Sequence, residues 1–136
     1  KNQKRGLEVQ LKDCYLPHFK MIEGVGVDIV SHRRIKRVLE RYGERFLKRV
    51  MAESELEELR KRADVVGFVA SRWAAKEAVV KALGCSVSYR LIEVLKDEKR
   101  PWVRIEGIDK KIHLSLSHEK DYSIAFAVVE GSSLRG

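Results

Sequence analysis

The chain has 136 residues, a length for one domain with a moderate core that needs no disulfide or metal staples. Lys and Arg outnumber Asp and Glu by 28 to 20, and the net charge of +8 calls for a polyanionic partner: nucleic acid, phosphorylated ligand, anionic membrane or acidic protein. Two cysteines exclude a disulfide framework, and no long apolar run or secretory signal pattern occurs, so the expectation is a reducing, cytoplasmic setting.

Residues 1–20 are mostly polar and precede the first methionine, Met21. They read as an upstream extension to a single domain over 21–136. Alternation of Leu7, Val9 and Leu11 would suit a short strand there. Residues 22–30 (IEGVGVDIV) read as a strand, with Val25, Val27 and Ile29 on one face and Gly24, Gly26 and Asp28 on the other. Glycine inside a strand marks a bulge or the close approach of another backbone or a ligand. Pattern alone favours a bland role for Asp28, opening a turn, over a ligand-binding one. Ser31 caps the next helix, whose apolar stripe is Ile35, Val38, Leu39 and Tyr42, and Gly43 ends it. Helix resumes over 44–50 with Phe46, Leu47 and Val50 inward. Across this region Arg33, Arg34, Lys36, Arg37, Arg41, Arg45, Lys48 and Arg49 face only Glu40 and Glu44, which marks it as the surface for an anionic partner.

Residues 53–62 form a short helix with Leu56 and Leu59 inward. Asp64 then caps a long helix over 65–83, with Gly84 past its end. Its part 72–84 (RWAAKEAVVKALG) is apolar on nearly every side, yet it carries Arg72, Lys76, Glu77 and Lys81. Spacing alone favours an i, i+4 ion pair between Glu77 and Lys81, worth ~0.3–0.5 kcal/mol. After a loop over 85–90 the signal changes to strands at 91–96, 102–106, 111–117 and 122–130. Within 111–117, Ile112, Leu114 and Leu116 alternate with His113, Ser115 and Ser117. The tail 131–136 is expected to fray. A strand, several helices and then four strands predict an α+β fold, a mainly antiparallel sheet packed on the long central helix.

Zinc-ligand spacing, a phosphate loop, a dinucleotide fingerprint and a nucleophile elbow are all absent. Two isolated carboxylates remain in apolar elements, Asp28 and Glu77, with Arg72, Lys76, Lys81 and His118 as basic company. Two carboxylates completed by substrate phosphates are the usual way Mg²⁺ is held.

GVGVDIV (24–30), SRWAAKEAVVKALG (71–84) and HLSLSHEKDYSIAFAVVE (113–130) together resemble the small 4′-phosphopantetheinyl transferases, the holo-acyl-carrier-protein synthases of fatty-acid synthesis. The resemblance covers nearly all of 21–136. It implies transfer of 4′-phosphopantetheine from coenzyme A to a serine of acyl carrier protein, with release of 3′,5′-ADP. It implies Mg²⁺ on Asp28 and Glu77, Lys81 near the phosphates, and Arg72 and His118 at coenzyme A. Glu77, Lys81 and His118 would be the catalytic groups, with the base left open between Glu77 and a metal-bound water. Arg34, helped by Arg45, would dock the acidic carrier protein. A homotrimer with active sites between subunits is implied, with no membrane or nucleic-acid partner. Such a trimer would also account for the apolar girth of the long helix. The chain departs from the family pattern at Gly84-Cys85-Ser86-Val87, at Lys99-Arg100-Pro101, which lacks a glycine, and at Ala52-Glu53-Ser54-Glu55, which lacks a Thr cap. Two other readings stand beside it. One is a basic nucleic-acid-binding module, which leaves Asp28 and Glu77 without a role. The other is a related transferase serving polyketide- or peptide-synthase carriers, commonly twice as long with two pseudo-repeats.

Overall fold

The computed structural model describes residues 20–132. The strand suggested near Leu7–Leu11, and all but the first two residues of the tail, lie outside the described residues. Strand β1 (Lys20–Ser31) is followed by helices α1 (His32–Tyr42), α2 (Glu44–Val50), α3 (Glu53–Leu59) and α4 (Val65–Leu83). A 3-10 turn (Tyr89–Leu91) then leads into β2 (Ile92–Lys96), β3 (Pro101–Ile105), β4 (Lys111–His118) and β5 (Tyr122–Ser132). The strands form one antiparallel sheet in the order β1-β5-β4-β3-β2, so the α+β expectation holds.

Local chemistry sets the helix ends. Ser31 Oγ accepts from Arg34 N–H at 3.4 Å, and Asp64 Oδ1 accepts from Gly67 N–H at 2.9 Å. Gly84 closes α4 in the left-handed region at φ 71°. The missing Thr before α3 is replaced from the other side, because Glu55 Oε1 accepts from Ala52 N–H at 2.8 Å. The missing glycine before Pro101 is replaced too. The Asp97 carboxylate accepts from Lys99 and Arg100 N–H at 3.2 and 3.0 Å and closes the β2–β3 turn.

Helix α4 lies across one face of the sheet and packs on β1, β5, α1, β4 and β2. Val69, Ala70, Ala74, Ala75, Ala78 and Val79 are fully buried. The chain itself therefore covers the helix, which corrects the expectation that a neighbouring subunit accounts for its apolar girth. Small residues let the layers close. A Cβ on Gly24 would sit 1.9 Å from Ala82 O, and one on Gly26 would sit 2.1 Å from Ala78 O. Both glycine readings hold, since a bulge also falls between Ile22 and Gly24.

The other sheet face is left apolar and bare. Val25, Val27 and Ile29 are 57%, 55% and 60% exposed, and Val27 and Ile29 pair in register with the exposed Phe126 and Ile124. Strands β2, β3 and β4 differ from the sequence reading by one residue at one or both ends, and three differences carry meaning. Strand β1 starts at Lys20 and runs past Asp28 to Ser31, so Asp28 does not open a turn. Helix α3 stops at Leu59, before the expected 62. Strand β5 runs on to Ser132 through residues expected to fray.

Candidate active site

Asp28 sits on the helix-facing side of β1, paired with the buried Ala125. The glycine face of β1 lets α4 come close enough for Lys81 to reach this carboxylate. Lys81 Nζ donates to Asp28 Oδ1 at 3.1 Å and to Val27 O at 2.9 Å. The intrahelical pairing of Lys81 with Glu77, favoured by spacing, is therefore replaced by a contact between elements. Glu77, one turn earlier on α4, is half-buried. Its carboxylate acts on the phenol of Tyr89, as does the charge of Asp28. Burial, then the neighbouring Glu77 carboxylate, then the charge of Asp28, push the Tyr89 phenol well above its ordinary value. Asp28, Glu77, Lys81 and Tyr89 thus form one polar cluster between β1, α4 and the 3-10 turn.

The donor set fits a hard divalent cation completed by a ligand. Among the described residues no three His, Cys, Asp or Glu side chains gather as a metal cage. Two carboxylates suffice for Mg²⁺, which keeps waters and takes its other ligands from phosphate. The Lys81 ammonium already occupies a cation position on Asp28, and its side chain is 53% exposed.

Arg72 and His118 lie elsewhere, along a cleft of about 560 Å³. Ser71, Arg62, Lys96 and Lys99 line it with them. Arg72 is nearly buried, 3.8 Å from both Glu55 and Glu58, and stacks on Phe68 with its Cζ 4.4 Å from the ring centre. Its Nε is buried without a hydrogen-bond partner. The exposed positive charges of this cleft are those of Arg62, Lys96 and Lys99, and the exposed His118 closes β4 beside them.

Beneath the polar cluster lies a buried pair. Lys76 is 0% and Glu55 1% exposed. Lys76 Nζ donates to Glu55, to Val50 O at 2.6 Å and to Tyr89 O at 2.8 Å. Burial pushes Glu55 up and Lys76 down, and each partner opposes the other's shift. The pair ties α4 to α3, to the end of α2 and to the 3-10 turn. Sequence reasoning counted Lys76 as basic company for the two carboxylates and gave no role to Glu55 or Tyr89. Lys76 offered one signal, a cation on a helix with no solvent face. Tyr89 offered none, since twelve residues and a chain reversal separate it from Glu77.

Arg34 and Arg45 are both exposed on the α1–α2 pair. Val38, Tyr42, Arg45, Phe46 and Arg49 line a shallow groove there, and Arg41 and Arg45 flank the Tyr42 ring at 5.4 and 5.9 Å. The groove joins an apolar floor to a basic rim.

A family model described as the 4′-phosphopantetheinyl transferase superfamily matches residues 24–127. A holo-[acyl-carrier-protein] synthase of Thermodesulfovibrio yellowstonii is 46% identical over 112 residues, covering 80% of this chain and 99% of that protein. The crystal structure of holo-[acyl-carrier-protein] synthase from Neisseria meningitidis superposes with a TM-score of 0.76 at 35% identity, covering 82% of this chain and 100% of that one. The Bacillus anthracis synthase in complex with CoA (3′,5′-ADP) gives 0.74 at 35% identity, over 82% and 99% of the two chains. The family match, the identity to these relatives over most of the chain and the shared fold leave one assignment: the chain belongs to the holo-[acyl-carrier-protein] synthase family of the 4′-phosphopantetheinyl transferase superfamily.

Proposed function

We propose that this chain transfers 4′-phosphopantetheine from coenzyme A to a serine of apo acyl carrier protein and releases 3′,5′-ADP. The observation that carries the reading is the convergence of Asp28, Glu77 and Lys81 where β1 meets α4. The B. anthracis relative, solved with CoA (3′,5′-ADP), supports coenzyme A as co-substrate. Asp28 and Glu77 would hold Mg²⁺, which when bound supplies positive charge to the diphosphate and to the departing 3′,5′-ADP. Lys81 has the exposure and reach to exchange Asp28 for a phosphate oxygen. His118, Lys96 and Lys99, with Arg72 as the cleft wall, would take the remaining phosphate charge. The carrier serine oxygen bonds to the phosphorus nearest pantetheine as the bridging P–O bond to 3′,5′-ADP breaks. Glu77 would orient the serine hydroxyl or accept its proton, and the identity of the base stays open.

Arg34, Arg45 and the groove beside them suit the acidic surface of a carrier protein, and fatty-acid synthesis is the setting we assign. We place the homotrimer contact on the bare apolar face of β1 and β5, since a contiguous face of this kind marks an interaction surface. Chromatographic detection of 3′,5′-ADP tests the reaction. Release from coenzyme A should require apo carrier, Mg²⁺ and an intact Glu77. Release without carrier, or none with it, would contradict the proposal. Faster release with a peptide-synthase carrier would reassign the partner and keep the chemistry.

A further inference from the structure

His118 is the last residue of β4, and the turn after it is three exposed residues, Glu119, Lys120 and Asp121. Within the turn, Glu119 N–H donates to Tyr122 O at 2.9 Å. An exposed turn tip is ordinarily mobile, and a group at its edge would share that motion. Here His32, the first residue of α1, holds the tip from outside. Its backbone N–H donates to Asp121 O at 2.9 Å, and its ring Nδ1 lies 2.9 Å from Lys120 O. A carbonyl only accepts, so Nδ1 carries the ring proton. Nε2 of the neutral ring then accepts from the Ser123 hydroxyl at 2.8 Å. Ser123 is 1% exposed and stands directly across the β4–β5 pairing from His118. Its Oγ is also 3.1 Å from that of Ser71 on α4. Ser71 and His118 line the same cleft. One side chain thus ties the start of α1 to the turn, to β5 and to α4, and every tie ends at a residue of the cleft or beside one.

Building on the reading of the cleft as the seat of coenzyme A phosphate charge, we infer that His32 is a positioning residue for coenzyme A. It fixes the turn that sets His118, and through Ser123 it fixes Ser71 on the opposite wall.

The test is steady-state turnover by the full chain and by His32→Leu, His32→Asn and His118→Ala. Leucine keeps bulk and loses both ring bonds. The asparagine amide reaches where Nδ1 does, so it keeps the donor to Lys120 O and loses the bond to Ser123. His118→Ala should raise the KM for coenzyme A, because it removes a cleft group outright. His32→Leu should raise it about 5-fold, the scale of one lost hydrogen bond, with kcat at saturation within about twofold and the KM for the carrier unchanged. His32→Asn should recover most of that loss. A purely structural role would lower the amount of folded enzyme, which reduces kcat and leaves KM alone. A raised KM in His118→Ala with a wild-type value in His32→Leu would overturn the role of His32 and leave the cleft reading standing. An equal rise in the KM for the carrier would assign His32 to α1 instead of the cleft and overturn the role. A wild-type KM in His118→Ala would remove His118 from the coenzyme A site, and this role with it. Long-range ¹H–¹⁵N correlation gives a check without substitution. The neutral His32 ring should show its proton on Nδ1, and a proton on Nε2 would break the bond to Lys120 and overturn the role.

Discussion

Two carboxylates and two lysines, all but Glu55 on neighbouring turns of α4, divide the labour of this molecule. Lys76 and Glu55 are shut away from water, while Glu77 and Lys81 reach the polar cluster. Removing one partner of a buried pair leaves an uncompensated charge and costs about 3–5 kcal/mol. Lys76→Met should lose stability on that scale in urea denaturation, and a loss under about 0.5 kcal/mol would show that the pair carries no structural weight. Glu77→Gln should instead unfold like the wild type and lose at least about 10²-fold in turnover, the scale of a lost electrostatic stabiliser. Asp97 gives a pH signature. The N–H groups of Arg100, then Lys99, hold its carboxylate below the ordinary value of 3.8. A depressed folded value means stability present above that ordinary value and lost as pH falls through the folded one. The difference in unfolding temperature between wild type and Asp97→Ala should be constant well above 3.8 and close as pH falls through the lowered folded value. A difference that persists at acid pH would mean the turn does not depend on the ionised carboxylate. At this scale the sequence disclosed charges in odd places, Asp28 and Glu77, because a carboxylate in an apolar element needs a reason. It could not disclose partners far along the chain. Glu55 lies 21 residues from Lys76, and the pair is visible only once α3 packs on α4.

The contact of β1 with α4 is the element on which the site depends. Gly26 lies against the backbone of Ala78 and the Cβ of Lys81, so any side chain there would push strand and helix apart. Gly26→Ala should destabilise by about 1–3 kcal/mol, an overpacking cost, and should also lower turnover by separating Asp28 from Glu77. Wild-type stability and turnover together would refute the close approach. Both ends of α4 were legible, because Asp64 and Gly84 are chemically distinct caps for an otherwise uninterrupted helical stretch. The end of β1 was not. An Asp beside two glycines has the composition of a turn, and only pairing with β5 carries the strand on to Ser31. The 3-10 turn at Tyr89 was equally hidden, since three residues are too few for a period.

For the molecule as a whole, charge and apolar surface point in different directions. Basic residues gather on α1 and α2, whereas the bare apolar face belongs to β1 and β5. Val27→Asp places a charge in the centre of that face without touching the core. It should convert the proposed trimer to monomers in sedimentation velocity, and unchanged sedimentation would remove this face as the contact. The sequence alternation separated Val25, Val27 and Ile29 from the glycine face correctly. It could not say which face the helix covers, because three apolar residues look more like a core than two glycines do. Group transfer to a carrier serine changes the mass of the carrier. Incubation of this chain with coenzyme A, Mg²⁺ and apo acyl carrier protein should raise the carrier's mass by one phosphopantetheinyl group, located on a serine. A competent carrier whose mass is unchanged after many equivalents of enzyme would contradict phosphopantetheinyl transfer by this chain.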